Sequence, residues 1–444
     1  MTSASRRHYQ SKIHPHQSVS QETLSSMQLV DQTRIGLGPG DLALREWQAQ
    51  QLELPDFDAI MPYRIERIRQ TLRQFDYGGI IVSDPLNIRY ATDSSNMQVW
   101  TMHNNARYCF IATEGPIILF DFKRVEHLTE HLSWVDEVRP ARMWMYHATG
   151  KRSAQFAREW AMELADLVRT HGGGNLRLAI DRVNPEGLWE LERQGMAIQD
   201  GEEIMELSRV IKHPEEIKAM RCAVAACESS IRVMQQNLEP GMSEQDLWSH
   251  LHAEIIKRGG EWLETRLLAS GPRTNPWYHE CSSRLIQSGD IVAFDTDLIG
   301  PYGYCVDMSR TWLCGEVKPT DEQRTLYHLA YDQLKYNQAL LKPGLTFREV
   351  SERAKSLPPD YLPNRYTVLY HGVGLCDEYP SLVYAEDLES LGDDGRLESS
   401  MVVSVETYVG RVGGHEGVKL EEQLLITETG VEPLSTYPFE ETWL

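Results

Sequence analysis

The sequence predicts an α+β protein of two domains: a small α/β domain over residues 51–205 and a larger domain over residues 206–444 built by duplication. Residues 1–50 are expected to form an amino-terminal arm. Three observations carry this reading. A chain of 444 residues exceeds one ordinary domain. Helix and strand patterns alternate through the first half, and a fresh helix start at His213 places the domain boundary between about 200 and 213. One short motif then occurs twice in the second half.

Taken in order, residues 1–50 mix Gln, Ser, His and Gly without a clear period and read as a loosely packed arm. Ile65, Ile68, Leu72 and Phe75 form one helical face. Asp76-Tyr77-Gly78-Gly79 ends it, and Ile80-Ile81-Val82 reads as a buried strand. Residues 107–112 and 116–120 flank Glu114-Gly115 as a hairpin. Phe156, Trp160, Leu164, Leu167 and Val168 mark another helix, stopped by Gly172-Gly173-Gly174. His213-Pro214-Glu215-Glu216 then places proline and acids in a first helical turn, and Ile217, Met220, Val224, Cys227, Ile231 and Met234 continue one face. The repeated motif runs from Leu238 through Pro240-Gly241 and Ser243 to Asp246, and again from Leu341 through Pro343-Gly344 and Thr346 to Glu349. Each copy is a Pro-Gly turn, a Ser/Thr cap and an acid three residues later. Two ordinary capped helices would look the same; the motifs further along favour a duplicated fold.

The formal net charge is −21, from 65 acidic against 44 basic residues. Nucleic acid and anionic membranes both require a basic footprint, so neither is an expected partner. The seven cysteines are scattered, without C-x-x-C or zinc-type spacing, as reduced thiols in a cytoplasmic protein would be. The first thirty or so residues are polar, without the apolar stretch of a signal peptide, and no segment approaches a membrane span.

Chemistry concentrates in the acids. Gly289-Asp290-Ile291-Val292-Ala293-Phe294-Asp295-Thr296-Asp297 reads as a strand with two acids at its end. Residues two apart share a strand face, so Asp295 and Asp297 are expected to point the same way. Like charges on one face repel, and buried carboxylates need a partner or a metal. Asp307 stands among apolar neighbours in an expected second strand over 302–312, Glu406 ends the apolar run from Met401, and Glu421 interrupts a well-patterned strand from Gly417. Between them lies Tyr370-His371-Gly372-Val373-Gly374. A set this rich in hard oxygen suits iron or manganese, and also zinc or cobalt, better than copper(I). Five carboxylates exceed what one divalent ion needs, so two ions are expected.

Order and wording of these segments resemble the pita-bread metalloenzymes: methionyl and Xaa-Pro aminopeptidases, prolidase and creatinase. Their ligand order of Asp, Asp, His, Glu, Glu is matched by Asp295, Asp307, His371, Glu406 and Glu421, and the stretch from Asp84 to Tyr90 is similar to the creatinase amino-terminal domain. The resemblance therefore implies a creatinase-like domain followed by a pita-bread catalytic domain, and a homodimer. Three departures separate the chain from the peptidases: the extra Asp297, Cys376-Asp377-Glu378 with Glu378 near the place of a catalytic histidine, and Thr407 after Glu406. These are similar to the DddP-type dimethylsulfoniopropionate lyases, as are residues 96–100 and 364–366. That branch implies Asp295, Asp297, Asp307, His371, Glu406 and Glu421 as ligands of two transition-metal ions, iron foremost, with manganese, zinc, cobalt or nickel as alternatives. It implies Asp377 as catalytic base.

The implied substrate is a small zwitterionic sulfonium. Elimination from it needs a base beside the carboxylate-bearing carbon and a Lewis acid on that carboxylate. Onium groups favour aromatic faces, so Tyr366, Trp277 and Trp100 are expected to bind substrate beside His371, Tyr366 foremost, with Tyr278 also flanking the ligand segments. His279 roughly matches a substrate-binding histidine of the peptidases. The rival is an amide hydrolase of the same fold, acting on a Xaa-Pro dipeptide or an ectoine-like solute, which would have to use Glu378 as proton shuttle.

Overall fold

The computed structural model describes residues 38–444. Residues 1–37 of the expected arm lie outside the described residues. Residues 41–49 were also expected in that loose arm, but form helix α1 (Asp41–Ala49), with Ala43 and Trp47 fully buried and the Trp47 ring 5.8 Å from that of Tyr302. Two apolar residues four apart suffice to dock one helical turn, too sparse a stripe to stand out among glutamines.

Helix α2 (Phe57–Gln74) starts at Asp56, whose carboxylate accepts the Asp58 amide, and buries Ile60, Met61, Ile65, Ile68 and Leu72. It covers a sheet formed by β1 (Gly79–Val82), β2 (Tyr108–Ala112), β3 (Ile117–Asp121), β4 (Glu137–Pro140), β5 (Arg177–Ile180) and β6 (Ala197–Asp200), in the order β4-β3-β2-β1-β5-β6. The expected hairpin is β2–β3, paired antiparallel. Central β1 is buried throughout, as an Ile-Ile-Val run requires. Helices α3 (Pro85–Thr92), α4 (Ser153–His171) and α5 (Pro185–Arg193) complete the domain.

Helix α6 (Glu202–Arg209) leads out of this sheet into α7 (Pro214–Gln236), which opens with a capping box of His213 and Glu216. The same Glu216 receives Arg64 of α2 in a buried ion pair of 2.8 Å, and Arg64 also reaches the Tyr304 hydroxyl at 2.5 Å. The two sequence regions are thus joined through shared buried charge, which tolerates little displacement.

The second region contains α8 (Glu244–Lys257), α9 (Asp321–Leu340) and α10 (Phe347–Arg353) around three sheets. Strands β7 (Trp262–Leu263), β10 (Leu298–Ile299) and β11 (Cys305–Val306) make one. Strands β8 (Leu268–Ser270), β9 (Ile291–Asp295) and β12 (Ser309–Leu313) make the next. The largest holds β13 (Tyr370–Val373), β14 (Asp377–Leu382), β15 (Val402–Gly410), β16 (Gly417–Ile426) and β17 (Val431–Pro433), ordered β14-β13-β15-β16-β17.

The duplication is visible bond by bond. Ser243 and Thr346 cap α8 and α10 in capping boxes with Asp246 and Glu349. Before each cap, the Gly241 amide donates to Ile286 O and the Gly344 amide to Leu397 O, both at 2.8 Å. The triplet β8-β9-β12 corresponds to β13-β15-β16, for Leu268 pairs with Phe294 as Tyr370 pairs with Val405. In register, Asp295 opposite Ser309 answers to Glu406 opposite Glu421. Two residues before Ser309 stands Asp307, and two before Glu421 stands Lys419. Acids from both halves therefore converge where the paired sheets face each other. Among the described residues no helix is long and apolar enough to cross a membrane.

If α1 belongs to the fold, Trp47→Ala should cost about 3–5 kcal/mol, the usual loss for a buried aromatic. Urea denaturation measures it; an unchanged midpoint would mean that α1 does not dock.

Candidate metal centre

Asp295 ends β9, but Asp297 is not on the strand: its φ is 35°, in the left-handed region that aspartate tolerates better than most side chains. The expectation that both acids share one strand face is therefore corrected. Between them the buried Thr296 hydroxyl donates to Val306 O at 2.8 Å and accepts the Met308 amide at 3.0 Å. The expected second strand is also broken, since β11 stops at Val306 and β12 begins at Ser309, with Asp307 in the gap. Thr296 thus ties the end of β9 to the break between β11 and β12.

Around this break the carboxylates converge on His371. Its Nε2 lies 3.2 Å from Asp307 Oδ2 and 3.4 Å from both Glu406 Oε1 and Glu421 Oε1. Three groups place their ligand atoms within 4.8 Å of one another: Asp307, His371 and Asp377; His371, Glu406 and Glu421; Asp295, Asp307 and Glu421. Asp297 is in none of them. Its Oδ2 accepts the Thr265 hydroxyl at 2.6 Å while it lines, with Asp307, Tyr366, His371 and Asp377, a cavity of about 460 Å³.

A cation already stands in the cluster. The ammonium of Lys419, fully buried, donates to Asp295 Oδ2 at 2.9 Å, Glu406 Oε2 at 2.8 Å, Glu421 Oε2 at 3.0 Å and Ser309 Oγ at 2.9 Å. Reading the sequence for acids passed over it, although a lysine two residues before Glu421 must share its strand face. One ammonium does not satisfy the set. Asp295 Oδ1, Asp307 Oδ1, Glu406 Oε1 and Glu421 Oε1 are buried and accept no hydrogen bond. Burial first, and Glu421 next, push the Asp295 and Asp307 carboxyls well above the usual range, against the pull of Lys419 on Asp295. Burial also opposes ionisation of Glu421, yet Lys419 and His371 hold it well below its ordinary value. Four orphaned carboxylate oxygens, two of them beside the His371 imidazole, fit a hard divalent cation.

Asp377 opens β14 opposite Val373, with Oδ1 at 3.7 Å from His371 Nδ1 and a side chain 55% exposed to the cavity. Burial raises its carboxyl; His371 opposes this, and Glu421 adds to it. Glu378 also borders the cavity, but its carboxylate is taken up by other groups. Its carboxylate is held by Lys212 Nζ at 2.7 Å and Arg209 Nε at 3.0 Å and also accepts the Leu375 amide at 2.9 Å.

Of the aromatics, Tyr366 lines the cavity, with Lys419 Nζ 4.6 Å from its ring centre and the exposed Tyr278 ring stacked at 5.5 Å. Trp277 is buried against Tyr408, 6.0 Å from Lys419 Nζ, and does not line the cavity. Trp100 does not line the carboxylate cavity. Its ring packs on Phe122 and it lines a separate cavity of about 770 Å³ with Arg89, Glu261 and Trp262. His279 turns Nδ1 to Arg273 O and Pro276 O, at 2.8 and 3.1 Å.

Sequence comparison matches residues 218–428 to metallopeptidase family M24 and residues 64–211 to the creatinase/prolidase N-terminal domain. The chain is 46% identical over 415 residues to dimethylsulfoniopropionate lyase DddP of Roseovarius nubinhibens, covering 92% of this chain and 93% of that protein. It is 41% identical to the protein of the same name from Roseobacter denitrificans, with the same coverage. The structure resembles the Xaa-Pro dipeptidase from Bacillus anthracis, with a TM-score of 0.68 at 23% identity over 85% of this chain and 98% of that one. That likeness shows the fold alone. A divalent-metal enzyme frame and a matching acid and imidazole cluster thus coincide.

Removing the ammonium should leave buried carboxylates unpaired, so Lys419→Met should destabilise the chelated protein by about 3–5 kcal/mol in thermal or urea unfolding; an unchanged stability would contradict the ion-pair role. A pH dependence also follows. Burial first, opposed by the Thr265 hydrogen bond and aided by Asp377, pushes Asp297 up to about 6 from 3.8. The folded chain then binds this proton more tightly than the unfolded one, so the contribution to stability is present below pH 3.8 and lost as pH rises to about 6. The gap in Tm between metal-loaded and chelated protein should widen across that window; a gap that narrows would contradict it.

Proposed function

The chain belongs to metallopeptidase family M24, in the branch of the DddP dimethylsulfoniopropionate lyases, and we propose that it cleaves dimethylsulfoniopropionate to dimethyl sulfide and acrylate by metal-dependent β-elimination. The ligands in this proposal are Asp295, Asp297, Asp307, His371, Glu406 and Glu421. Bound there, a divalent metal supplies Lewis acidity toward the substrate carboxylate. Five carboxylates less the one Lys419 ammonium leave four negative charges, the number that two divalent ions neutralise. Iron is the metal proposed first, as the likeness to the DddP branch implies; the oxygen-rich donor set itself suits iron or manganese, and also zinc or cobalt, better than copper(I).

The protein's own groups do the rest. Asp377, half exposed to the cavity and beside His371, takes the proton from the carbon next to the substrate carboxylate. The electron pair of that C–H bond becomes the new double bond, the carbon–sulfur bond breaks, and its pair leaves on neutral dimethyl sulfide. Burial and the neighbouring acids raise Asp377, which strengthens it as a base. Tyr366, the aromatic that lines the cavity beside Lys419, is proposed to meet the sulfonium.

The single observation that carries the reading is the division of labour between adjacent acids: Asp377 open to the cavity, Glu378 consumed by Lys212 and Arg209. A hydrolase would need Glu378 free to shuttle a proton, which weighs against the amide-hydrolase reading. A homodimer and a cytoplasmic setting complete the proposal. Exposed Met97, Val99 and Ile256 beside Trp100 support a second copy packing there.

Incubating the purified protein with dimethylsulfoniopropionate should release dimethyl sulfide and acrylate in equal amounts. Asp377→Asn should lower both by about 100-fold or more, the scale of a lost general base, while metal per chain stays unchanged. Proline release from dipeptides without any sulfide would instead assign the hydrolase.

A further inference from the structure

Asp377 and Glu378 are consecutive on β14 and so project to opposite faces. The face that carries Glu378 is packed by the segment that joins the two halves of the chain, with Glu378 and Glu206 at the edge of the cavity. Lys212 and Arg209 both reach the Glu378 carboxylate, and Lys212 Nζ also donates to Arg209 O at 2.7 Å. Arg209 in turn bonds Asn87 of α3 and Glu206 of α6, and Glu206 Oε2 accepts the Tyr379 amide at 2.8 Å. The Lys212 amide donates to Ser400 O at 2.9 Å, just ahead of β15 and Glu406. Two carboxylates and two cations thus form a balanced cluster behind the catalytic turn, with Glu378, Arg209 and Lys212 buried.

That cluster presses directly on the turn. A Cβ at Gly374 would fall 2.3 Å from Glu378 Oε2 and 2.4 Å from Oε1, so the carboxylate lies flat on backbone that only glycine leaves open. With the Leu375 amide on Oε1, Glu378 closes the β13–β14 connection on itself. His371 stands before that connection and Asp377 after it, 3.7 Å apart.

We propose that Glu378, clamped by Arg209 and Lys212, is a positioning residue that fixes Asp377 relative to His371, so that the linker between the domains sets the geometry of proton abstraction. This rests on the lyase reading with Asp377 as base. Although Glu378 and Glu206 border the same cavity, the clamp spends the Glu378 carboxylate on Lys212, Arg209 and the Leu375 amide. It acts only through the turn.

The test measures kcat, KM and metal per chain for Glu378→Gln, Lys212→Met and Lys212→Arg on dimethylsulfoniopropionate, with rates counted per folded, metal-loaded chain. Glu378→Gln and Lys212→Met should lower kcat about 10- to 100-fold, as sub-ångström misplacement of a base does, with KM and metal content held within about threefold. Lys212→Arg keeps the charge and should restore kcat to within about threefold of the wild type. Should Glu378→Gln fail to fold, the Lys212 pair decides alone, because equal rates for Met and Arg overturn the proposal. It is also overturned if kcat per loaded chain is unchanged, or if activity falls only in proportion to metal or folded fraction. Activity surviving in Asp377→Asn would sink the base assignment itself; an inactive Asp377→Asn beside a fully active Glu378→Gln would sink only the clamp.

Discussion

One buried ammonium ties the catalytic half together. Lys419 on β16 reaches Asp295 on β9, Ser309 on β12, Glu406 on β15 and its strand neighbour Glu421, so a single side chain touches all four central strands. Bringing that many carboxylates out of water is prohibitive without compensating charge. Lys419 offsets part of it and leaves the remainder as orphaned oxygens, two of them beside His371. The strands can close on each other because of the lysine, and the residual negative charge is what makes the site a receptor for divalent metal.

The duplication explains how such a site arises on a regular frame. Both halves present the same strand triplet, the same capped helix and the same turn bonds. What differs is the side chain at matching places: Asp307 against Lys419, Ser309 against Glu421, and Asp297 against Tyr408, whose hydroxyl bonds Thr274 O and Asn275. Symmetry of backbone brings the acids together, and asymmetry of side chains separates a neutralised rear from an anionic front. Asp297, Asp307, His371 and Asp377 face the cavity on that front, where a zwitterion with one carboxylate end can be met.

Much of this is legible before folding. Period-two placement of Asp295, Glu406 and Glu421 in apolar strands, the two Pro-Gly-cap motifs and the helix start at His213 all act locally, and local patterns survive into the fold. The breaks at Thr296–Asp297 and Asp307–Met308 do not show, because they are held by the Thr296 hydroxyl bonding Val306 O and the Met308 amide, a contact between segments that sequence spacing cannot see. Lys419 was readable in principle from its place two residues before Glu421, but its meaning depends on the two carboxylates, Asp295 and Glu406, contributed from other strands. The partners of Glu378 are more remote still, lying on the linker at Arg209 and Lys212. Aromatic roles were the least legible: Trp277 and Trp100 have the right chemistry for a sulfonium, yet packing sends one against Tyr408 and the other to a different cavity. Composition tells what a side chain can bind, and only topology tells what it meets.

The most direct test of this account is anomalous X-ray diffraction from crystals grown with ferrous or manganous ion, recorded on either side of the metal's absorption edge. The account predicts anomalous density between His371 Nε2 and the orphaned oxygens of Asp307, Glu406 and Glu421, at the roughly 2.0–2.3 Å separations of metal–ligand bonds, with Lys419 still bonded to the outer oxygens of Glu406 and Glu421. Density confined to the protein surface, with these carboxylates bridged by Lys419 alone, would contradict it.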